Sequence, residues 1–89
     1  MLRISSTAEA GSRVTVKAEG SLLGDWVPPL HAECVRHLDA ARLVELDLAD
    51  VRFVDRDGAA MVRGLMARGV NVTGASALVN ALLGPSGTS

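Results

Sequence analysis

Residues 46–62 read LDLADVRFVDRDGAAMV and join an apolar strand to a helix through a charged corner. Residues 43–48 alternate apolar and acidic side chains, which is typical of a strand, and apolar residues resume after a break at residues 49–50. The corner itself is DRDG at residues 55–58. Apolar residues at helical spacing then follow as far as Gly69, where a glycine typically ends a helix. This order predicts a central strand that leads directly into a helix.

Two short strands are predicted before this stretch. Residues 2–5 and 13–18 alternate apolar and polar side chains, the pattern of half-buried strands. Polar and glycine residues at 9–12 supply a turn, so these strands form an opening hairpin. The stretch 20–24 contains two glycines and predicts the end of the second strand.

The first helix is expected from residue 26 to about residue 40, with Asp25 as its N-cap. Its apolar side recurs at helical spacing and includes Cys34, which predicts that this thiol lies in the core. Trp26 is most simply a core anchor under the sheet, although a partly exposed tryptophan can also anchor an interface.

The end of the sequence predicts one more strand and one more helix. A short strand at residues 70–73 is followed by a turn at Gly74 and a helix capped by Ser76. The order β-β-α-β-α-β-α requires parallel neighbours joined by right-handed crossovers. We therefore expect an α/β fold: one domain at residues 1–84, with a mixed four-stranded sheet and helices on one face, and a flexible tail at residues 85–89.

Composition and charge argue against several classes of function. A net charge of −1 and only two aromatic residues disfavour nucleic-acid binding. One cysteine cannot form an internal disulfide, and no apolar run is long enough for membrane insertion, so a cytoplasmic location is expected. The sequence also lacks a nucleophile with a base and a phosphate-cradling glycine loop. We therefore expect no enzymatic activity and no cofactor.

Two groups of potential metal ligands do not indicate a metal site. His31, Cys34 and His37 are spaced three apart, so they drift around the first helix, and a fourth zinc donor is missing. We expect the two histidines at the surface or its boundary. Asp55 and Asp57 form a carboxylate pair, but no third acidic ligand, histidine or nucleophile lies near them in the sequence. No metal site is predicted.

Residues 46–62 also resemble a known family. The phenylalanine–valine–aspartate step at 53–55, followed by an acidic loop that opens a helix, resembles the STAS family, which includes the anti-anti-sigma factors. The resemblance extends to EGSL at 19–22, to the first helix and to the closing segment 74–83. It implies an α/β domain that acts by binding a protein partner.

The resemblance also points to the loop at Asp55, Arg56, Asp57 and Gly58. In the family's regulatory members, a kinase that doubles as an anti-sigma factor phosphorylates the hydroxyl residue just before the glycine. Asp55 and Gly58 match that pattern, whereas Arg56 and Asp57 replace the hydroxyl residues. The implied function is partner binding through this loop without a phosphorylation switch there, because Asp57 carries a permanent charge. From its position, we also expect Asp57 to cap its own helix.

Two kinds of protein partner remain open on this resemblance. One is a kinase-like anti-sigma factor, which makes the chain an anti-sigma factor antagonist in bacterial transcription regulation. The other is the ATPase of a lipid-type ABC transporter, to which STAS domains attach as cytoplasmic accessory subunits. The exposed edge strands also leave homodimer formation open.

Overall fold

The computed structural model of the chain describes residues 2–8 and 11–83. Four strands form one sheet: β1 (Leu2–Ala8), β2 (Arg13–Leu22), β3 (Leu43–Val54) and β4 (Asn71–Thr73). Three helices accompany them: α1 (Val27–Asp39), α2 (Arg56–Ala67) and α3 (Ala77–Leu83), with a short 3-10 segment at Gly24–Trp26 before α1. The predicted order of elements is confirmed. The predicted tail at 85–89 lies outside the described residues, as do residues 9–10 of the predicted hairpin turn.

The strands lie in the order β1-β2-β3-β4. β1 runs antiparallel to β2, whereas β2 with β3 and β3 with β4 are parallel pairs. The mixed sheet is therefore as predicted. Because β2 and β3 are parallel, they end side by side, with Leu22 opposite Val54. We call this end of the sheet the carboxyl edge.

One face of the sheet carries the core. Buried residues of β2 alternate with half-buried polar ones, and β3 begins with the same pattern. The core is one cluster to which all three helices contribute, and its buried members are aliphatic side chains together with Cys34. Among them are Val14, Val16, Val44, Leu46, Leu30, Val62, Leu65, Val79 and Leu83. The helices thus cover one face, as expected, and the opposite face is polar.

Both long strands extend further than predicted. β2 continues through Gly20 to Leu22, and β3 is unbroken at residues 49–50. The pairing of β2 with β3 contains register shifts between Lys17 and Glu19 and between Gly20 and Ser21. Such bulges absorb the positive φ of Gly20, 111°, while the strands remain paired. Pairing with a neighbouring strand therefore overrides the local signal for a break.

The signals at the helix ends are partly confirmed. Ser76 caps α3, since its hydroxyl accepts a hydrogen bond of 3.2 Å from the backbone N–H of Val79. Gly69 has a φ of 99° just beyond the end of α2, as a helix-ending glycine should. Asp25 does not cap α1, because α1 begins at Val27 and Trp26 occupies the N-cap position.

His37 is buried, with 5% of its surface exposed, which corrects the prediction of a surface or boundary position. Arg42 Nη1 donates to His37 Nδ1 at 2.9 Å, so Nδ1 accepts and Nε2 carries the ring proton. Nε2 lies 3.1 Å from Glu33 Oε2, to which it donates. Burial is tolerated because both ring nitrogens have partners. His31 is exposed and Cys34 is buried, both as expected, and burial raises the pKa of the Cys34 thiol to about 11.

Glu33 joins α1 to the edge strand β1. It accepts hydrogen bonds from Arg36 on the same helix, at 2.8 and 3.2 Å, and from the hydroxyl of Ser6 on β1. The Arg36 guanidinium, the Ser6 hydroxyl and His37 together lower the pKa of Glu33 to about 2. A charged carboxylate therefore helps to hold β1 against the helix layer.

The free energy of unfolding of the Glu33→Gln variant should depend less on pH in the acid range than that of wild type. A carboxylate whose pKa is lowered on folding stabilises the protein above its ordinary pKa of 4.5, and this contribution is lost as the pH falls towards 2. Urea unfolding from about pH 5 to about pH 2 should give a smaller loss of unfolding free energy in Glu33→Gln than in wild type. Glu45→Gln, on the polar face of the sheet, is the control. Equal pH slopes in all three proteins would contradict this assignment.

Candidate functional site

The predicted loop lies at the carboxyl edge, where β3 ends and α2 begins. Asp55 is the N-cap of α2: its backbone is extended, and its Oδ1 accepts a hydrogen bond of 2.7 Å from the N–H of Gly58. The sequence had led us to expect Asp57 as the cap. Asp57 instead lies exposed in the first turn of α2, where the helix dipole still favours its charge.

Asp55 also holds the end of the neighbouring strand. Its Oδ2 accepts a hydrogen bond of 2.9 Å from the N–H of Gly24, and its own N–H donates to the carbonyl of Leu22 at 3.1 Å. The N–H groups of Gly24 and Gly58 lower the pKa of Asp55, Gly24 having the larger effect. We call this carboxylate with its two N–H donors the Asp55 clamp. It joins the 3-10 segment after β2 to the start of α2.

Gly58 is required by close packing under the loop. A Cβ at this position would lie 2.8 Å from the carbonyl oxygen of Leu22 and 3.0 Å from Leu22 Cγ. The first of these neighbours is backbone and cannot swing aside. Of the four predicted residues, Asp55 and Gly58 therefore build the loop, whereas Arg56 and Asp57 are exposed on it.

Apolar side chains are exposed beside the loop. Trp26 is 37% exposed and Leu23 is 38% exposed, so the expectation that Trp26 anchors the core is wrong. The physical reason is its place in the 3-10 segment, ahead of the apolar stripe of α1. The signal lay in Pro28 and Pro29, because prolines belong to the first turn of a helix. The helix therefore begins just before them, at Val27, and Trp26 precedes it.

These exposed residues form one surface around the clamp. We define the edge surface as Leu23, Asp25, Trp26, Arg56 and Asp57, all of which are exposed. Within residues 2–8 and 11–83, no ion pair or side-chain hydrogen bond engages the three charged members. The edge surface thus combines two apolar side chains with unpaired charges of both signs.

A concavity lies at the register shifts between β2 and β3. It is a shallow cavity of about 590 Å³ lined by Glu19, Gly20, Ser21, Ala49, Asp50, Val51 and Arg52. One of its carboxylates, Asp50, is paired with Lys17 at 3.0 Å.

Two further features are absent from the described part of the chain. No group of three or more histidine, cysteine or acidic side chains is placed there to hold a metal ion. No helix in those residues has the length and apolar character needed to span a membrane.

The two glycines of α2 should respond oppositely to the same substitution. Gly58→Ala should lower the free energy of unfolding by about 1–3 kcal/mol, since its methyl group meets the Leu22 carbonyl. Gly64→Ala should raise it by about 0.5–1 kcal/mol, because nothing lies within 4 Å of the added methyl and alanine favours a helix. Urea unfolding measures both. A Gly58→Ala variant as stable as Gly64→Ala would contradict the close contact.

The chain is similar in fold to proteins of solved structure. No protein-family model matches the sequence, and no curated protein matches it either. The anti-sigma factor antagonist SpoIIAA in its unphosphorylated form matches with a TM-score of 0.61 and 18% identity, over 73% of this chain and 61% of that chain. Mglu matches with a TM-score of 0.57 and 24% identity, over 79% of this chain and 18% of that chain. The chain therefore has a STAS-like fold.

Proposed function

We propose that the chain is a non-catalytic protein-binding domain that docks a kinase-like anti-sigma factor through the loop Asp55–Gly58. The observation that carries the proposal is the outward exposure of Arg56 and Asp57 on a loop that Asp55 and Gly58 hold rigidly. The likeness in fold to an anti-sigma factor antagonist supports the choice of partner class.

The four loop residues have two different roles in this proposal. Arg56 and Asp57 contact the partner, because they are exposed and carry unpaired charge. Asp55 and Gly58 position them, since the Asp55 carboxylate is occupied by two backbone N–H groups and Gly58 packs against Leu22. Replacing Asp55 should therefore weaken docking by loosening the loop.

Docking is not switched by phosphorylation at position 57. Asp57 has no hydroxyl group and carries one permanent negative charge, compared with about 1.5 to 2 for a phosphate at neutral pH. A partner that distinguishes serine from phosphoserine therefore encounters, at Asp57, a fixed charge between those of the two forms.

Titration calorimetry with the kinase-like anti-sigma factors of the source organism tests the docking. Wild type should bind one of them, and Asp57→Arg should weaken that binding at least about tenfold, because charge reversal places like charges together. Asp39→Arg is the control for charge reversal away from the loop, since Asp39 is exposed at the end of α1 and its ion pair with Arg68, at 3.8 Å, is also exposed. Equal weakening by both reversals would contradict docking through the loop.

Introducing a hydroxyl group at position 57 should allow phosphorylation there. With the bound factor and ATP, Asp57→Ser should gain the mass of one phosphate, whereas wild type should not gain it at this position. Peptide mass spectrometry locates the modification. An unmodified Asp57→Ser would count against a kinase partner.

The test also separates the two partner classes. If wild type binds none of these factors and instead binds a transporter ATPase in an Asp57-dependent manner, the chain is an accessory subunit of a transporter. Sedimentation of the chain alone measures whether it also forms a homodimer.

A further inference from the structure

We infer that the partner carries an apolar pocket that receives Trp26, bordered by an arginine or lysine that pairs with Asp25 and Asp57. The inference rests on the proposed function. It extends the contact from the loop to the whole edge surface, and it names the chemistry that the partner must supply.

The edge surface carries one of the two aromatic residues of the chain. The chain has one tryptophan and one phenylalanine, and both are excluded from an aliphatic core. Trp26 is 37% exposed, and Phe53 is 42% exposed close to the end of β3. Leaving large apolar surfaces in water is unfavourable, and tryptophan is among the residues most enriched at the centres of interfaces. Burial of Trp26 by a partner recovers this free energy.

Hydrogen bonds hold the backbone beneath the edge surface. The Asp55 clamp brings the N–H groups of Gly24 and Gly58 to one carboxylate, at 2.9 and 2.7 Å. The Trp26 N–H also donates to the carbonyl of Leu23 at 2.8 Å, which closes the turn that carries the indole. The backbone that carries the edge surface is therefore fixed before binding, so docking does not have to order it.

The charges of the edge surface indicate the charge of the partner. Asp25 follows Gly24 and Asp57 precedes Gly58, so the clamp brings these two exposed carboxylates to the same edge as Trp26. No cation of the described residues pairs with either one. A guanidinium or ammonium group from a partner can pack against an indole ring while it binds a carboxylate.

The same charges argue against a second copy as the occupant. The edge surface contains Asp25 and Asp57 but only one cation, Arg56. Packing two copies through this surface brings four carboxylates together with two guanidinium groups. A partner with net positive charge around its pocket complements the surface better.

Binding of the anti-sigma factor to edge-surface variants tests the inference by calorimetry at two salt concentrations. Trp26→Ala should weaken binding about 30-fold or more, as expected of a central aromatic anchor, and Trp26→Phe should restore part of it. Asp25→Lys should weaken binding about tenfold and reduce its dependence on salt. Leu43→Ala is the control, because Leu43 is 64% exposed at the opposite end of β3. Circular dichroism verifies that each variant is folded.

The outcomes separate the inference from the proposed function. If wild type binds and Trp26→Ala binds equally well, the inference is overturned and docking through the loop stands. If Trp26→Ala weakens binding but Asp25→Lys does not, the cationic border is overturned. A dimer of the chain alone that dissociates on Trp26→Ala assigns the pocket to a second copy and overturns the inference. If wild type binds no anti-sigma factor, both proposals fail together.

Discussion

The arrangement of the carboxyl edge depends on the two hydrogen bonds that the carboxylate of Asp55 accepts. Each of its oxygens accepts one backbone N–H, from Gly24 on one side and Gly58 on the other. These donors belong to segments that follow different strands, and both would otherwise be unpaired amides at a turn or at the start of a helix. The same bonds favour the ionised form of Asp55, so the group that organises the edge remains charged in the folded state.

The residues that form the core differ from the aromatic residues that are exposed. The core is built from valine, leucine, alanine and one cysteine, which fill the space between sheet and helices. Neither aromatic side chain is needed there, and both lie towards the carboxyl edge. The core is therefore filled without either aromatic ring.

Sequence patterns predicted the order of elements and the core because periodicity reports which face of a strand or helix is buried. They failed where specific contacts with other residues decide the outcome. Gly20 is a local break signal, but pairing with β3 carries β2 onward to Leu22. His37 is buried because Glu33 and Arg42 satisfy its ring. Within the candidate site, the loop was found from the sequence, whereas the cap was assigned to Asp57 because only the Gly58 N–H geometry distinguishes it from Asp55.

The exposed position of the single tryptophan also determines what its fluorescence reports. Indole emission shifts to shorter wavelength when water is removed from the ring, and Trp26 is the only indole in the chain. Because it is already 37% exposed in the folded protein, its spectrum changes less on unfolding than that of a core tryptophan. Fluorescence is therefore a weak reporter of folding for this chain. It is a site-specific reporter of changes in the exposure of the carboxyl edge.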